Sequence, residues 1–197
     1  MTKRIFDLLV SGLGLLILWP VFLAVAALIK ITDGGPVFYR QERVGRYGRP
    51  FRIWKFRSMR VGADRLGPSI TSRGDPRITS IGRILRATKL DELPQLLNVF
   101  LGEMSMVGPR PEVQKYVDLY DDVQRKILEY RPGITDLASI EFRGEEVLLA
   151  AALDREGFYI EYCMPRKLRL NMIYVERSSV CLDVLIIMRT IKAVFWG

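Results

Sequence analysis

Residues 5–29, IFDLLVSGLGLLILWPVFLAVAALI, are apolar throughout apart from a single charge, Asp7. About 20 such residues cross a bilayer core as a helix, so the pattern predicts a membrane-length helix at the N-terminus. Pro20 falls in its middle and removes a helix hydrogen bond, which predicts a bend. After the turn cluster Asp33-Gly34-Gly35-Pro36, two aromatic and β-rich runs, residues 37–44 and 51–59, flank a glycine-containing loop and predict a β-hairpin. Residues 60–80 are rich in Gly, Pro, Ser, Thr and Arg and predict a loop. Helical spacing returns with Ile81, Ile84, Leu85 and Thr88, and a second helix is predicted from Asp91 to a stop at Gly102. Helices are also predicted over residues 112–129 and 145–163. Residues 180–196 are mostly apolar, with Asp183, Arg189 and Lys192 as their charges, and either lie in a membrane interface or pack on the core.

The apolar run exceeds the roughly 7–15 residues of a signal-peptide core, and no small-residue cleavage site follows it, so it is read as part of the mature protein. Basic residues stand on both sides: Lys3 and Arg4 before it, Lys30, Arg40, Arg43, Arg46 and Arg49 after it. Positive charge prefers the cytoplasmic face, so this symmetry suits a kinked hairpin entering and leaving one leaflet. Hydropathy by itself suits a spanning helix, since Pro is tolerated there. Both topologies stand on these residues.

The chain of 197 residues is 49% hydrophobic yet 26% charged, in keeping with one modest domain plus an apolar appendage. A net charge of +8 calls for an anionic partner: nucleic acid, phosphorylated small molecules or an anionic membrane. Cys163 and Cys181 are too far apart for a CxxC pair and are read as reduced and structural. With no histidine in the sequence, the chemistry must run on carboxylates, lysines, hydroxyls or a hard metal ion.

The most informative stretch is Leu90-Asp91-Glu92-Leu93-Pro94-Gln95. An Asp at an N-cap, then a Glu and a Pro in the first turn, are ordinary helix-start residues. The same geometry also serves chemistry, because free N–H groups at a helix start attract phosphate and keep an Asp ionised. Asp91 is then a candidate nucleophile, as in aspartyl-phosphate enzymes, and Glu92 a candidate ligand for Mg²⁺. Cations surround the pair in sequence: Lys55, Arg57, Arg77, Arg83, Arg86, Arg110 between two prolines, and Arg131. Each taken singly suits a solvated surface; as a group they suit phosphate binding.

The ordered motifs Lys55-Phe56-Arg57-Ser58-Met59, Asp75-Pro76-Arg77-Ile78-Thr79, Leu90-Asp91-Glu92-Leu93-Pro94-Gln95, Gly102-Glu103-Met104-Ser105-Met106-Val107-Gly108-Pro109-Arg110-Pro111 and Arg131-Pro132-Gly133-Ile134-Thr135 resemble those of bacterial monotopic phosphoglycosyl transferases. The resemblance covers nearly the whole chain. It implies an α+β, mainly helical fold: a re-entrant membrane helix over 1–35, a cytoplasmic catalytic domain over 36–179 with a small β-hairpin, and an apolar or amphipathic C-terminal helix over 180–197. It implies that Asp91 attacks the sugar-bearing phosphate of a UDP-sugar and releases UMP. Polyprenyl phosphate then takes the phospho-sugar in a ping-pong reaction at the bacterial inner membrane. Asp91 and Glu92 are implied to be catalytic with Mg²⁺, and a homodimer is among the assemblies allowed. Two departures stand out. Trp19-Pro20 replaces the Ser-Pro common in that family, and Asp136-Leu137-Ala138-Ser139-Ile140-Glu141-Phe142-Arg143-Gly144 replaces a Gly-Leu-x-Gln-Val-x-Gly-Arg run. The second puts the donor sugar in question, because that segment, with Arg143, is expected at the nucleotide-sugar site.

Three rival readings are separable by experiment. A tethered nucleic-acid binder, suggested by the charge and by Tyr39, Tyr47, Phe51 and Trp54, predicts salt-sensitive DNA or RNA binding and is set aside in favour of no nucleic-acid partner. An inactive lipid-diphosphate binder is opposed by the presence of both Asp91 and Glu92. An enzyme moving only the sugar would release UDP instead of UMP.

Overall fold

A computed structural model describes residues 2–67, 70–72 and 74–196, so positions 68, 69 and 73 of the predicted loop lie outside the described residues. Helix α1, Thr2–Asp33, continues through Pro20 and is the one described helix long and apolar enough to cross a membrane. Leu16 and Ile17, near its middle, are each 69% exposed. Both halves of α1 nevertheless pack on the same folded unit. In the first half, Asp7 Oδ1 accepts hydrogen bonds from Ser105 Oγ and the Met106 amide, both at 3.0 Å. Arg4 donates to the Val99 and Phe100 carbonyls, and Lys3 pairs with the buried Asp183 at 2.5 Å. In the second half, Val25 and Ile29 are buried with Phe56, Ile81 and Leu85.

The predicted hairpin forms from β1, Phe38–Val44, and β2, Pro50–Phe56, antiparallel with Phe38 opposite Phe56 and Val44 opposite Pro50. Helix α2, Ser80–Ala87, follows, capped by Thr79 Oγ1 accepting from the Gly82 amide. Helix α3, Gln95–Leu101, lies against β2. Asn98, fully buried on α3, accepts from the Trp54 amide at 2.9 Å and donates to the Arg52 carbonyl at 2.9 Å. One side chain thus fixes the helix to the strand that carries Lys55.

A feature that no periodicity announced is a short parallel pair, β3, Ser105–Val107, beside β4, Gly133–Thr135. Each strand has three residues, too short to show alternation. Gly108 and Gly133 allow the two segments to touch: a Cβ on Gly133 would lie 2.1 Å from the Gly108 amide nitrogen, and one on Gly108 would lie 2.3 Å from the Arg131 carbonyl oxygen. Backbone cannot yield as a flexible side chain does, so Gly133→Ala is expected to cost about 2–3 kcal/mol. A fall in the thermal midpoint of the detergent-solubilised protein would register it; an unchanged midpoint would contradict such close packing.

Three predicted helices are corrected. Over 112–129 the chain forms only a short helix α4, Gln114–Val117, and a 3₁₀ segment, Gln124–Glu129. Asp121 and Gln124 cap each other reciprocally there, restarting the chain in a new direction. Over 145–163, α6, Glu145–Ala151, ends before α7, Arg155–Phe158, because Asp154 turns back to accept from the Glu156 and Gly157 amides. A π-helical turn, Tyr159–Cys163, then leads into α8, Met164–Arg177, well past the predicted end. The helix predicted to start at Asp91 begins as a 3₁₀ turn instead, as set out below.

Helix α5, Leu137–Glu141, and helix α9, Val180–Trp196, complete the fold. Of the two placements weighed for residues 180–196, packing on the core is seen for one face of the helix. Asp183 and Ile186 are buried with Val107 and Tyr174, while Val184, Leu185, Met188 and Ile191 on the opposite face are exposed.

Candidate active site

Lys89 adopts a left-handed backbone, φ 58°, and ends the α2 segment. Leu90–Glu92 then forms a 3₁₀ turn, in which the Leu93 amide donates to the Leu90 carbonyl at 3.2 Å. Pro94 has no N–H and cannot bond back to residue 90, so the α-pattern starts only at Gln95. Asp91 is therefore not an N-cap but lies inside the 3₁₀ turn. It is 4% exposed instead, and its Oδ1 has no hydrogen-bond partner among the described residues.

Glu92 faces a different environment. Its Oε1 accepts from Arg110 Nη2 at 2.5 Å and Lys55 Nζ at 3.0 Å, and its Oε2 accepts from Arg110 Nη1 at 3.3 Å. Arg110 reaches this place from the Gly108-Pro109-Arg110-Pro111 loop, whose backbone is tied down on three sides. The Arg110 amide donates to Asp136 Oδ2 at 3.1 Å, Arg43 donates to the Pro111 carbonyl at 3.2 Å, and the Val44 amide donates to the Glu112 carbonyl at 2.9 Å. Asp136, fully buried, also accepts from the Ser139 amide at the start of α5.

Adjacent carboxylates in these two settings are driven apart. Burial raises the Asp91 carboxyl above its ordinary range and the negative charge of Glu92 raises it further, against the pull of Lys55, Arg86 and Lys89. Burial also opposes the charge on Glu92, but Arg110 and Lys55 outweigh it and hold that carboxyl well below its usual value. Burial lowers Lys55, with Glu92 opposing. Glu92 raises Arg110 above its already high value. Two neighbouring acids separated in this way are suited to separate tasks: a basic, reactive Asp91 and a permanently charged Glu92 that organises cations.

The other predicted residues disperse. Arg86 acts on Asp91 through its charge and pairs with Glu146. Arg57 is buried at the exit of α1, 3.5 Å from Asp33, with its Nε and Nη1 unpartnered among the described residues. Arg77 staples its own loop through Asp75 at 2.6 Å. Arg131 donates to the Gly102 carbonyl at 2.9 Å and braces the end of α3. Arg83 lines a cavity of about 330 Å³ with Asp33, Arg60, Asp75 and Thr79. Arg143 is exposed beyond α5. The structure thus brings together Asp91, Glu92, Lys55, Arg110 and, electrostatically, Arg86. Asp136 and Asn98 were missed as positioning residues, because an ordinary Asp or Asn carries no local signal of such a contact.

As a metal site, no group of three or more acidic or thiol ligands occurs among the described residues. Mg²⁺ commonly binds with one or two carboxylates plus substrate phosphate and water, and the partnerless Asp91 Oδ1 fits that use. Glu92 has both oxygens engaged by Arg110 and Lys55 and would ligate only by exchanging one of them.

Comparison with known proteins agrees with the motifs. The sequence profile described as bacterial sugar transferase matches residues 1–197. The exopolysaccharide production protein ExoY of Sinorhizobium fredii is 38% identical over 98% of this chain and 85% of its own length. The UDP-glucose:undecaprenyl-phosphate glucose-1-phosphate transferase of Caulobacter vibrioides is 38% identical over 97% of this chain and 68% of its own length. The UDP-N-acetylgalactosamine-undecaprenyl-phosphate N-acetylgalactosaminephosphotransferase of Aeromonas hydrophila is 37% identical, but the chain spans only 44% of that larger protein.

Proposed function

The chain belongs to the bacterial sugar transferase family, and from that premise we propose that it moves a sugar 1-phosphate from a UDP-sugar to undecaprenyl phosphate and releases UMP. This would be a first membrane step in building a glycoconjugate. The observation that carries the mechanism is the contrast between the free, buried Asp91 oxygen and the fully clamped Glu92 beside it. An Asp91 carboxylate oxygen attacks the phosphorus that bears the sugar. The bond from that phosphorus to the bridging oxygen breaks, UMP leaves, and the phospho-sugar stays on Asp91 as an acyl phosphate. A phosphate oxygen of the lipid then attacks the same phosphorus, and Asp91 departs as a free carboxylate. Asp91 would help hold Mg²⁺, which when bound would supply charge to screen the repulsion between anionic nucleophile and anionic substrate. Lys55 and Arg110, already gathered on Glu92, present fixed positive charge where phosphate charge develops.

The packing of α1 supports a re-entrant helix, and the basic residues on both sides of its apolar run favour the cytoplasmic face. A spanning helix carries one end about 30 Å away across the bilayer core, whereas residues 3–14 and 21–29 here contact one domain. The exposed Leu16, Ile17 and Trp19 would then face lipid.

Nucleotide analysis tests the reaction class. With a UDP-sugar and undecaprenyl phosphate the expected leaving product is UMP; release of UDP would replace this reading with direct sugar transfer. The pH profile tests the nucleophile. Asp91 must be ionised to attack, and its raised pKa means that this form is lost on acidification earlier than for an ordinary carboxylate. Lys55→Met removes a charge that holds the value down, so the acid limb of the first half-reaction is expected to move to higher pH. A limb that stays in place would exclude Asp91 as the titrating group.

A further inference from the structure

Among the described residues, seven buried side-chain atoms lack a hydrogen-bond partner, and three belong to residues 86–95: Arg86 Nε, Asp91 Oδ1 and Gln95 Nε2. A buried polar group left unpaired is destabilising, so three of them within ten residues flanking Asp91 point to a ligand that supplies the missing partners. Gln95 is the unassigned member. It is 1% exposed, more enclosed than Asp91 itself. The chain keeps helical dihedrals from Leu90 through Pro94 into α3, which sets Gln95 one turn beyond Asp91. Gln95 contributes nothing to the Asn98 anchor that fixes α3 to β2.

Resting on the reading of Asp91 as nucleophile, we propose that Gln95 is a further catalytic residue, donating its carboxamide N–H to a non-bridging oxygen of the phosphoryl group transferred to and from Asp91. Arg86, close enough to Asp91 for its charge to act on that carboxyl, donates its unpartnered Nε to the same group. Its guanidinium is held by Glu146 through Nη2, which leaves Nε to point elsewhere. A phosphoryl group has non-bridging oxygens to satisfy both donors, and Asp91 takes its missing interaction as a bond to phosphorus or a metal. The neutral amide also suits a step in which charge is conserved. It stabilises the oxygens without adding a cation that would hold the phospho-sugar too tightly on Asp91 for the lipid to remove it.

The discriminating variant is Gln95→Met, which has nearly the same volume and no donor. A residue whose amide serves only the fold would lose stability on this change. A residue whose amide waits for substrate would not, because an unpaired buried group is replaced by an apolar one. The expected result is a thermal midpoint equal to or above that of the wild type, with formation of the Asp91 adduct and release of UMP slowed about 10- to 100-fold. Gln95→Glu, which puts an acceptor in place of the donor, is expected to be slower still. Wild-type rates in Gln95→Met, or a lowered midpoint with an unchanged rate per folded molecule, would overturn the assignment. If wild-type protein formed no adduct while UMP release remained slow in Gln95→Met, the covalent reading would fall and the phosphate contact of Gln95 would survive it.

Discussion

Asp91→Asn is expected to reduce sugar-phosphate transfer by about 10⁴-fold or more while leaving the protein folded. The amide matches the carboxylate in volume, so the buried slot keeps its packing, but it offers no anionic oxygen to attack phosphorus. The effect on stability has the opposite sign. A carboxylate whose pKa is raised on folding is ionised at neutral pH only at a cost to the folded state, and Asn removes that cost. A thermal midpoint at or above that of the wild type, alongside lost UMP release, is the expected pair of results. A midpoint well below it would make Asp91 a structural carboxylate instead.

Arg110→Met is expected to lower both turnover and stability, the first by about 10²- to 10³-fold and the second by about 2–4 kcal/mol. Arg110 is the bidentate partner of Glu92, so without it a largely buried carboxylate keeps only Lys55. The pH dependence follows from sign. Glu92 has a depressed pKa in the folded state, so its contribution to stability is present above the ordinary carboxylate value and is lost as pH falls through the depressed one. Removing Arg110 brings that loss to higher pH, visible as an earlier acid fall in the thermal midpoint. Arg110→Lys should recover little, because an ammonium cannot take both carboxylate oxygens in a planar fork. Full activity in Arg110→Met would show that Glu92 needs no clamp.

The long apolar helix, the hairpin and α2 were legible because each depends on local pattern: a run without charge, two β-rich segments around a turn, and 3.6-residue spacing. Of the predicted site residues, Lys55, Asp91, Glu92 and Arg110 gather, whereas Arg57, Arg77, Arg83, Arg131 and Arg143 do not, and the geometry of the gathered group was not legible. Asp91 looked like an N-cap because Asp followed by Glu and Pro is what helix starts contain. What the pattern could not show is that Pro94 delays the α-helix and Lys89 turns the chain left-handed, burying Asp91 instead of setting it at a helix start. The backbone contact between Gly108 and Gly133, and the hydrogen bond from the Arg110 amide to the Asp136 carboxylate, join segments about 25 residues apart. Such contacts depend on tertiary approach, and they leave no periodic trace. Arg77 and Arg131 carried the same charge signal as Arg110, yet one staples a loop and the other braces a helix end.

Covalent chemistry at Asp91 is tested most directly by the intact mass of the detergent-purified protein after incubation with Mg²⁺ and a panel of UDP-sugars, without lipid acceptor. One donor should add the mass of a single phospho-sugar to the wild type and nothing to Asp91→Asn, and undecaprenyl phosphate should remove it. No adduct with any donor, together with UMP release only when the lipid is present, would contradict a nucleophilic Asp91 and point to direct attack by the lipid phosphate.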